Sequence, residues 1–217
     1  MRRETSTVVV LAGEPDESLL AELARSPNVT VARAPPAEPP AAGQPATERP
    51  GWEAGALAMR EAARRRSTYV IVPDDPLAEV AAGWHAMWDI SRGSQAAPAA
   101  GSQNGHHRRS RTFEACAAEA LAAWRDERFD LPDYYLVMAP AEADGAAADL
   151  YLGPLRAVRP RRVAVAGAVG APAQAAQILA ALRSLEHGPW WPPLDEVIDA
   201  ARRFYPGALA ESQLAAG

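Results

Sequence analysis

The chain has 217 residues, a formal net charge of −5 and 48% hydrophobic residues, a balance typical of a globular domain rather than a disordered chain. All 22 of its Lys and Arg positions are Arg, so Schiff-base catalysis and a Walker-type phosphate loop, which both need an ammonium group, are excluded. The acidic balance also argues against nucleic-acid binding, which usually requires a basic face.

The first 34 residues predict a β-α-β unit, the building block of a parallel sheet. Thr7–Ala12 is a continuous apolar run, which is typical of a strand buried on both faces. Residues 14–17 then place proline and acids where a helix begins, and leucines follow on one helical face. A second short strand is predicted at Asn28–Ala32.

The rest of the chain continues the alternation of short apolar runs and helical periods. Three further strands are predicted at Tyr69–Val72, Tyr134–Met138 and Arg162–Ala166. Helices are predicted at Trp52–Arg66, 76–88, Phe113–Arg128, Asp144–Val158, Pro172–Leu185 and Leu194–Phe204.

This pattern predicts a single α/β domain over residues 1–217, a three-layer, doubly wound Rossmann-like or flavodoxin-like fold with about five parallel strands. The strand orders 2-1-3-4-5 and 3-2-1-4-5 fit the pattern equally. A Pro/Ala-rich connector at 35–50 and a Gly/Ser/Arg-rich insertion at 91–111 lack an apolar period and are predicted to be flexible. Residues 189–217 are predicted to form a C-terminal helical extension.

The compartment follows from what the sequence lacks. It contains no apolar run long enough to span a membrane and no export signal at its start, so a cytoplasmic protein is expected. The single Cys116 cannot form an internal disulfide, and its place on an apolar helical face predicts a core position. Arginine in place of lysine, with many alanines, suggests a GC-rich bacterial genome; this is an inference from codon use.

Acidic residues follow three of the predicted strands, at the edge where doubly wound folds bind ligands. They are Glu14 and Asp16, Asp74 and Asp75, and Glu142 and Asp144. If the loops converge, the carboxylates could hold Mg²⁺ or transfer protons, with Asp16, Asp74 and Asp75 as the catalytic candidates. Capping of the following helices is the favoured interpretation, because acids are preferred there in any case.

Glycines mark two of the same loops, Gly13 after the first strand and Gly167 with Gly170 after the fifth. Glycines between a strand and a helix allow a phosphate to approach the helix start. The spacing is Gly-x-x-Gly, not Gly-x-Gly-x-x-Gly, so a tight turn is favoured and no cofactor is assigned. No His/Cys cluster has zinc spacing, and no metal is assigned.

Trp190 and Trp191 lie between prolines in a connector. Packing over the sheet is the favoured interpretation, and the alternative is an exposed aromatic patch that binds a partner.

The leading functional hypothesis is a non-catalytic or regulatory Rossmann-like module that binds a protein or a small molecule. The alternative is a metal-assisted, carboxylate-based enzyme acting on a small molecule. Neither nucleic acid nor a membrane is expected as a partner, and the sequence leaves the oligomeric state open.

Overall fold

The structure is a computed structural model that describes residues 6–13, 15–36, 50–92, 111–138, 150–167 and 170–204. Three acidic candidates from the sequence, Glu14, Glu142 and Asp144, lie outside these residues. So does most of the connector at 35–50 and of the insertion at 91–111. Their predicted flexibility therefore stays a prediction.

The described residues form one five-stranded parallel sheet. Its strands in chain order are β1 (Thr7–Ala12), β2 (Val29–Val31), β3 (Tyr69–Val72), β4 (Tyr134–Met138) and β5 (Val163–Ala166). The α/β class, the parallel sheet and the doubly wound arrangement predicted from the sequence are confirmed.

Both predicted strand orders are wrong, because the sheet runs β2-β3-β1-β4-β5. The physical reason lies in the lengths and polarity of two strands. β2 has three residues and is only partly buried, which suits a sheet edge. β3 is a longer run of apolar residues, and it gains a hydrogen-bonded neighbour on each side by lying between β2 and β1.

Seven α- or π-helical elements occur among the described residues, besides the short 3-10 turn Pro160–Arg162. In chain order they are α1 (Glu17–Ala24), α2 (Gly51–Ala63), α3 (Ala78–Arg92), α4 (Phe113–Arg125), α5 (the π-helical turn Tyr151–Leu155 continued by Arg156–Val158), α6 (Ala171–Arg183) and α7 (Leu194–Arg203). The π-turn in α5 holds Gly153 and Pro154, and a proline inside a helix removes one backbone hydrogen-bond donor.

The helices cover the two faces of the sheet unequally. Side chains of α2, α3, α4, α5 and α7 form one core cluster with alternate residues of the strands, and we name that side the five-helix face. Side chains of α1 and α6 form the second cluster, on the two-helix face. Cys116 is buried in the cluster on the five-helix face, which confirms its predicted core position.

β1 lies at the centre of the sheet and is buried from both sides. Val8 and Val10 belong to the core of the five-helix face, and Val9 and Leu11 belong to that of the two-helix face. All four are 0% exposed. Complete burial of one such side chain contributes roughly 1.5–3 kcal/mol, so this strand is a major source of stability.

The last described helix, α7, is part of the core, and residues 205–217 of the predicted C-terminal helical extension lie outside the described residues. Leu194, Val197, Ile198 and Ala201 are buried in the cluster on the five-helix face. The Trp84 indole N–H donates to the carbonyl of Ala201 at 3.0 Å, which ties α3 to α7.

In the part of the chain that the structure describes, no helix is long and apolar enough to cross a bilayer.

Gly55 allows α2 to contact the loop that leads into α3. A Cβ atom at position 55 would lie 2.4 Å from the backbone nitrogen of Pro76, closer than any real contact. Replacing a helical glycine by alanine ordinarily stabilises a helix by about 1 kcal/mol. Here steric overlap outweighs that gain, because Gly55 and Pro76 are both buried and neither segment can move apart freely.

We expect Gly55→Ala to lower the free energy of unfolding by about 2 kcal/mol or more, measured by urea denaturation. Ala54→Gly at the neighbouring position is the control and should lose only the propensity difference, about 1 kcal/mol. A Gly55→Ala protein more stable than the wild type would show that α2 and the loop before α3 do not touch.

Candidate functional site

The sheet has a topological switch point between β1 and β4. The chain leaves β1 towards α1 on the two-helix face and leaves β4 towards α5 on the five-helix face. Ligands of doubly wound folds bind at such a point. Here a Cβ atom at Gly13, which has a φ of 128°, would lie 3.0 Å from Cε of Met138. The Met138 side chain therefore occupies the space beside the first glycine.

The Asp16 carboxylate caps α1. Its Oδ1 accepts hydrogen bonds of 2.7 Å from the backbone N–H of Leu19 and from the hydroxyl of Ser18. These hydrogen bonds, chiefly that from Leu19, hold the pKa of Asp16 below its ordinary value. Asp16 thus has the helix-capping role that the sequence favours at this position.

Asp74 connects two neighbouring strands at their carboxyl ends. Its Oδ2 accepts a 2.8 Å hydrogen bond from the backbone N–H of Ala34. Ala34 follows β2 and Asp74 follows β3. The Asp74 side chain therefore links the two chain segments just beyond the last backbone hydrogen bond between the strands. A backbone amide that would otherwise lack a partner is satisfied in this way.

Asp75 is a buried carboxyl group, only 8% exposed. It accepts a 2.8 Å hydrogen bond from the backbone N–H of Leu77 and a further hydrogen bond from the hydroxyl of Tyr151. Burial raises the pKa of Asp75 to about 6, and the hydrogen bonds from Tyr151 and Leu77 only partly offset that effect.

Tyr135 of β4 completes this buried cluster. Its ring centroid lies 5.1 Å from that of Tyr151, and its hydroxyl is buried without a hydrogen-bond partner among the described residues. Burial raises the pKa of both phenols well above the ordinary value, and the nearby Asp75 carboxylate adds to the effect. The side chains of Asp75, Tyr135 and Tyr151 thus form a buried polar cluster within the core of the five-helix face. Because Asp75 is only 8% exposed, a substrate cannot reach its carboxyl group.

The three described acids are therefore each engaged in backbone hydrogen bonds. Within the ranges described, no group of three or more His, Cys, Asp or Glu side chains is placed to hold a metal ion. Gly170 begins α6 with a φ of 86°, a conformation that favours glycine irrespective of any ligand. Gly167 directly follows β5 and is exposed.

A groove of about 430 Å³ lies beside β2, between that strand and the helices α1 and α2. Leu20, Ala21, Ala24 and Val31 form its apolar part. Both arginines that line it are already paired, Arg33 with Glu17 and Arg65 with Glu61, at 2.6 Å each. The groove thus offers an apolar floor between two ion pairs.

The two adjacent tryptophans have different environments. Trp191 is 5% exposed, packs edge-on against Tyr135 at 5.9 Å and donates its indole N–H to the carbonyl of Pro132 at 2.8 Å. Trp190 is 46% exposed. Packing over the sheet, the interpretation favoured from sequence, describes Trp191, whereas Trp190 alone remains available to a partner.

Arg162 fixes the position of Trp190. Its guanidinium lies between two rings, 4.6 Å from the centroid of Trp190 and 5.3 Å from that of Tyr134. Its nitrogen atoms donate to three carbonyl oxygens, those of Pro189 at 2.7 Å, Gly188 at 2.8 Å and Asp133 at 2.9 Å. We name this arrangement the Arg162 clamp; it holds the connector before α7 against the amino ends of β4 and β5.

The clamp extends to β1 through Asp133. While the Asp133 carbonyl accepts from Arg162, its carboxylate Oδ2 accepts a 2.7 Å hydrogen bond from the backbone N–H of Val8. The amino ends of three strands are thereby linked. The sequence gives no sign of this feature, because an arginine before a strand is normally solvated and only the tertiary structure brings residues 133–134 and 188–190 around Arg162.

Comparison with known proteins found no protein-family model, no curated protein and no solved structure that matches this chain.

Asp75 makes the stability of the protein pH-dependent in an unusual direction. Because its pKa is about 6 in the folded state and about 3.8 in the unfolded state, the folded protein holds a proton that the unfolded chain has released between these values. The free energy of unfolding from this group therefore falls as pH rises from about 4 to about 6, by up to about 3 kcal/mol.

We expect Asp75→Asn, which keeps an acceptor for the Leu77 N–H, to abolish that decline in urea titrations between about pH 4 and pH 7. Tyr151→Phe removes a hydrogen bond that lowers the folded-state pKa of Asp75, so the decline should begin at the same pH and extend to higher pH. Parallel pH profiles for the wild type and Asp75→Asn would show that Asp75 has an ordinary pKa.

The Arg162 clamp predicts a large effect for a substitution that preserves charge. Lysine cannot reproduce the planar fork or its stacking between two rings, so Arg162→Lys should lower the free energy of unfolding by roughly 2–4 kcal/mol. The control is Arg161→Lys, where the side chain is exposed and paired with Glu186 on the surface. A loss below about 0.5 kcal/mol is expected there in chemical denaturation, and similar losses for both variants would contradict the clamp.

Proposed function

We propose that this protein is a non-catalytic binding module that holds a protein partner at the surface around the outer edge of β5. The observation that carries the proposal is Trp190, a large aromatic side chain that is 46% exposed and yet held in place by the Arg162 clamp. Exposed tryptophans are enriched among the residues that dominate binding energy at protein interfaces.

The clamp also lowers the entropic cost of binding through Trp190. The ring stacks on Arg162, and the Trp190 carbonyl accepts a hydrogen bond from Nε of Arg159. Both the side chain and the backbone are thus ordered before a partner arrives. An anchor that is already ordered loses little rotamer freedom on binding, which raises the affinity for a given contact area.

A second exposed apolar residue belongs to the same strand region. Val165 of β5 is 43% exposed, and the Arg162 that carries Trp190 directly precedes β5. Along a strand, three residues span roughly 10 Å, a distance that a single interface easily covers. We call Val165, Trp190 and the intervening edge of β5 the β5 edge surface.

The alternative hypothesis, a metal-assisted enzyme, receives less support from the geometry. Its candidate residues Asp16, Asp74 and Asp75 each accept a backbone hydrogen bond, and Asp75 is only 8% exposed. A catalytic carboxylate has to reach a substrate or a metal ion. Binding through the β5 edge surface requires no rearrangement of these groups.

The test is affinity enrichment from cells that express the protein, with quantification of captured proteins by mass spectrometry. Trp190→Ala should weaken capture of the specific partner by about 30-fold or more, while Trp190→Phe should retain part of it. Met87→Ala is the matched control, because Met87 is also a large exposed apolar residue but lies on α3. We expect it to bind as the wild type does.

Thermal denaturation of the same variants shows whether each of them is still folded. Loss of the contact with Arg162 should cost Trp190→Ala only about 1 kcal/mol, so its fold persists. Equal capture by wild type and Trp190→Ala would contradict the proposal, as would loss of capture by both Trp190→Ala and Met87→Ala.

A further inference from the structure

The outer side of β5 is an unpaired backbone edge in the part of the chain that the structure describes. β5 pairs with β4 on one side, and no other described strand pairs with it. Such an edge presents a row of N–H and C=O groups that can receive an added strand. Partners that bind in this way gain affinity from main-chain hydrogen bonds and specificity from alternate side chains.

The other edge of the sheet is less suited to this role. β2 is three residues long, Val29 is buried, and Thr30 and Val31 are half-buried. Its surroundings include the Arg33–Glu17 ion pair. β5 has four residues and an exposed valine, so it offers both a longer backbone row and an apolar side chain.

The segment that leads into β5 is rich in arginine, although the chain as a whole has a net charge of −5. Arg156, Arg159 and Arg161 all fall within the seven residues that precede the strand. Arg156 and Arg161 are exposed and Arg159 is half-buried. Among described carboxylates, Arg161 contacts Glu186 at 3.2 Å in an exposed ion pair, which leaves an excess of positive charge at the amino end of β5.

We propose that β5 receives an extended, acidic segment of a partner protein as an added strand, which rests on the binding function proposed above. The segment would pair its backbone with the outer edge of β5 and place an apolar side chain against Val165. Its acidic residues would lie against Arg156 and Arg161, and its end would reach Trp190. A second copy of this chain fits less well, since it would add three more arginines to the same interface.

The experiment uses the full-length protein and synthetic, end-blocked nonapeptides that alternate valine with glutamate or with lysine. Binding is measured by isothermal titration calorimetry, and its location by amide chemical shifts of the ¹⁵N-labelled protein. The Val/Glu peptide should bind at least about 10-fold more tightly than the Val/Lys peptide, with the largest shifts at Val163–Ala166.

Strand addition is tested separately from charge. Two further Val/Glu peptides carry N-methyl groups along one backbone edge or along the other. Because an added strand uses only one of its edges, one methylated peptide should lose binding and the other should retain it. Equal binding of both methylated peptides would rule out an added strand.

Variants of the protein locate the charge that is recognised. Arg156→Glu with Arg161→Glu should weaken Val/Glu binding at least about 10-fold. Arg64→Glu with Arg66→Glu, at exposed positions after α2, is the control with the same change in net charge and should leave binding unchanged. Equal effects of the two pairs would show that only long-range charge matters.

Other outcomes overturn the inference and leave the binding function intact. One such outcome is equal affinity for the Val/Glu and Val/Lys peptides, and another is a set of chemical shift changes at β2 instead of β5. A dimer of this chain that the peptide dissociates in sedimentation experiments would also overturn the inference. A single-stranded oligonucleotide that competes successfully with the Val/Glu peptide would do the same. Capture that still depends on Trp190 would then keep the proposed function. If the Val/Glu peptide binds at β5 but Trp190→Ala captures the partner as well as the wild type does, strand addition is supported and the proposed role of Trp190 is contradicted.

Discussion

Burial of β1 on both faces is the constraint on which the rest of the structure depends. Val8, Val9, Val10 and Leu11 are fully buried, and the strand pairs in parallel with β3 on one side and β4 on the other. A parallel sheet buried on both sides requires helical crossovers on both faces. The crossover helices divide unequally, with α1 on one face and α2, α3, α4 and α5 on the other, because the chain moves in one direction from β1 to β2 and in the opposite direction from β2 through β3 and β4 to β5.

The two ends of the sheet use polar groups in different ways. At the amino ends, the Arg162 clamp and the Asp133 carboxylate satisfy four backbone groups in three segments and hold the connector to α7. At the carboxyl ends, the acids cap α1, close the sheet beyond β2 and enter a buried cluster with Tyr151. The polar side chains at both ends thus serve mainly the fold, and we propose the exposed side of β5 with Trp190 as the surface for a partner.

Asp16, Asp74 and Asp75 follow strands as predicted, and the capping role favoured for Asp16 is confirmed. The burial of Asp75 could not be predicted, because it depends on α5 bringing Tyr151 from 76 positions further along the chain. Tyr135 and Tyr151 lie within runs that look uniformly apolar, so the sequence hides the polar cluster that their hydroxyls form with Asp75. Trp190 and Trp191 are likewise equivalent in sequence and differ only because Arg162 stacks on the first and Tyr135 packs against the second.

The sequence by itself determined the class of fold, the five strands and the helices between them, because apolar periodicity is local and each period fits one kind of element. It also determined the core position of Cys116. Tertiary structure alone decided the strand order β2-β3-β1-β4-β5, since connections of similar length reach several positions in a sheet. It likewise decided which polar groups are buried, because burial depends on which segments converge around a side chain, and neighbours along the chain do not specify that.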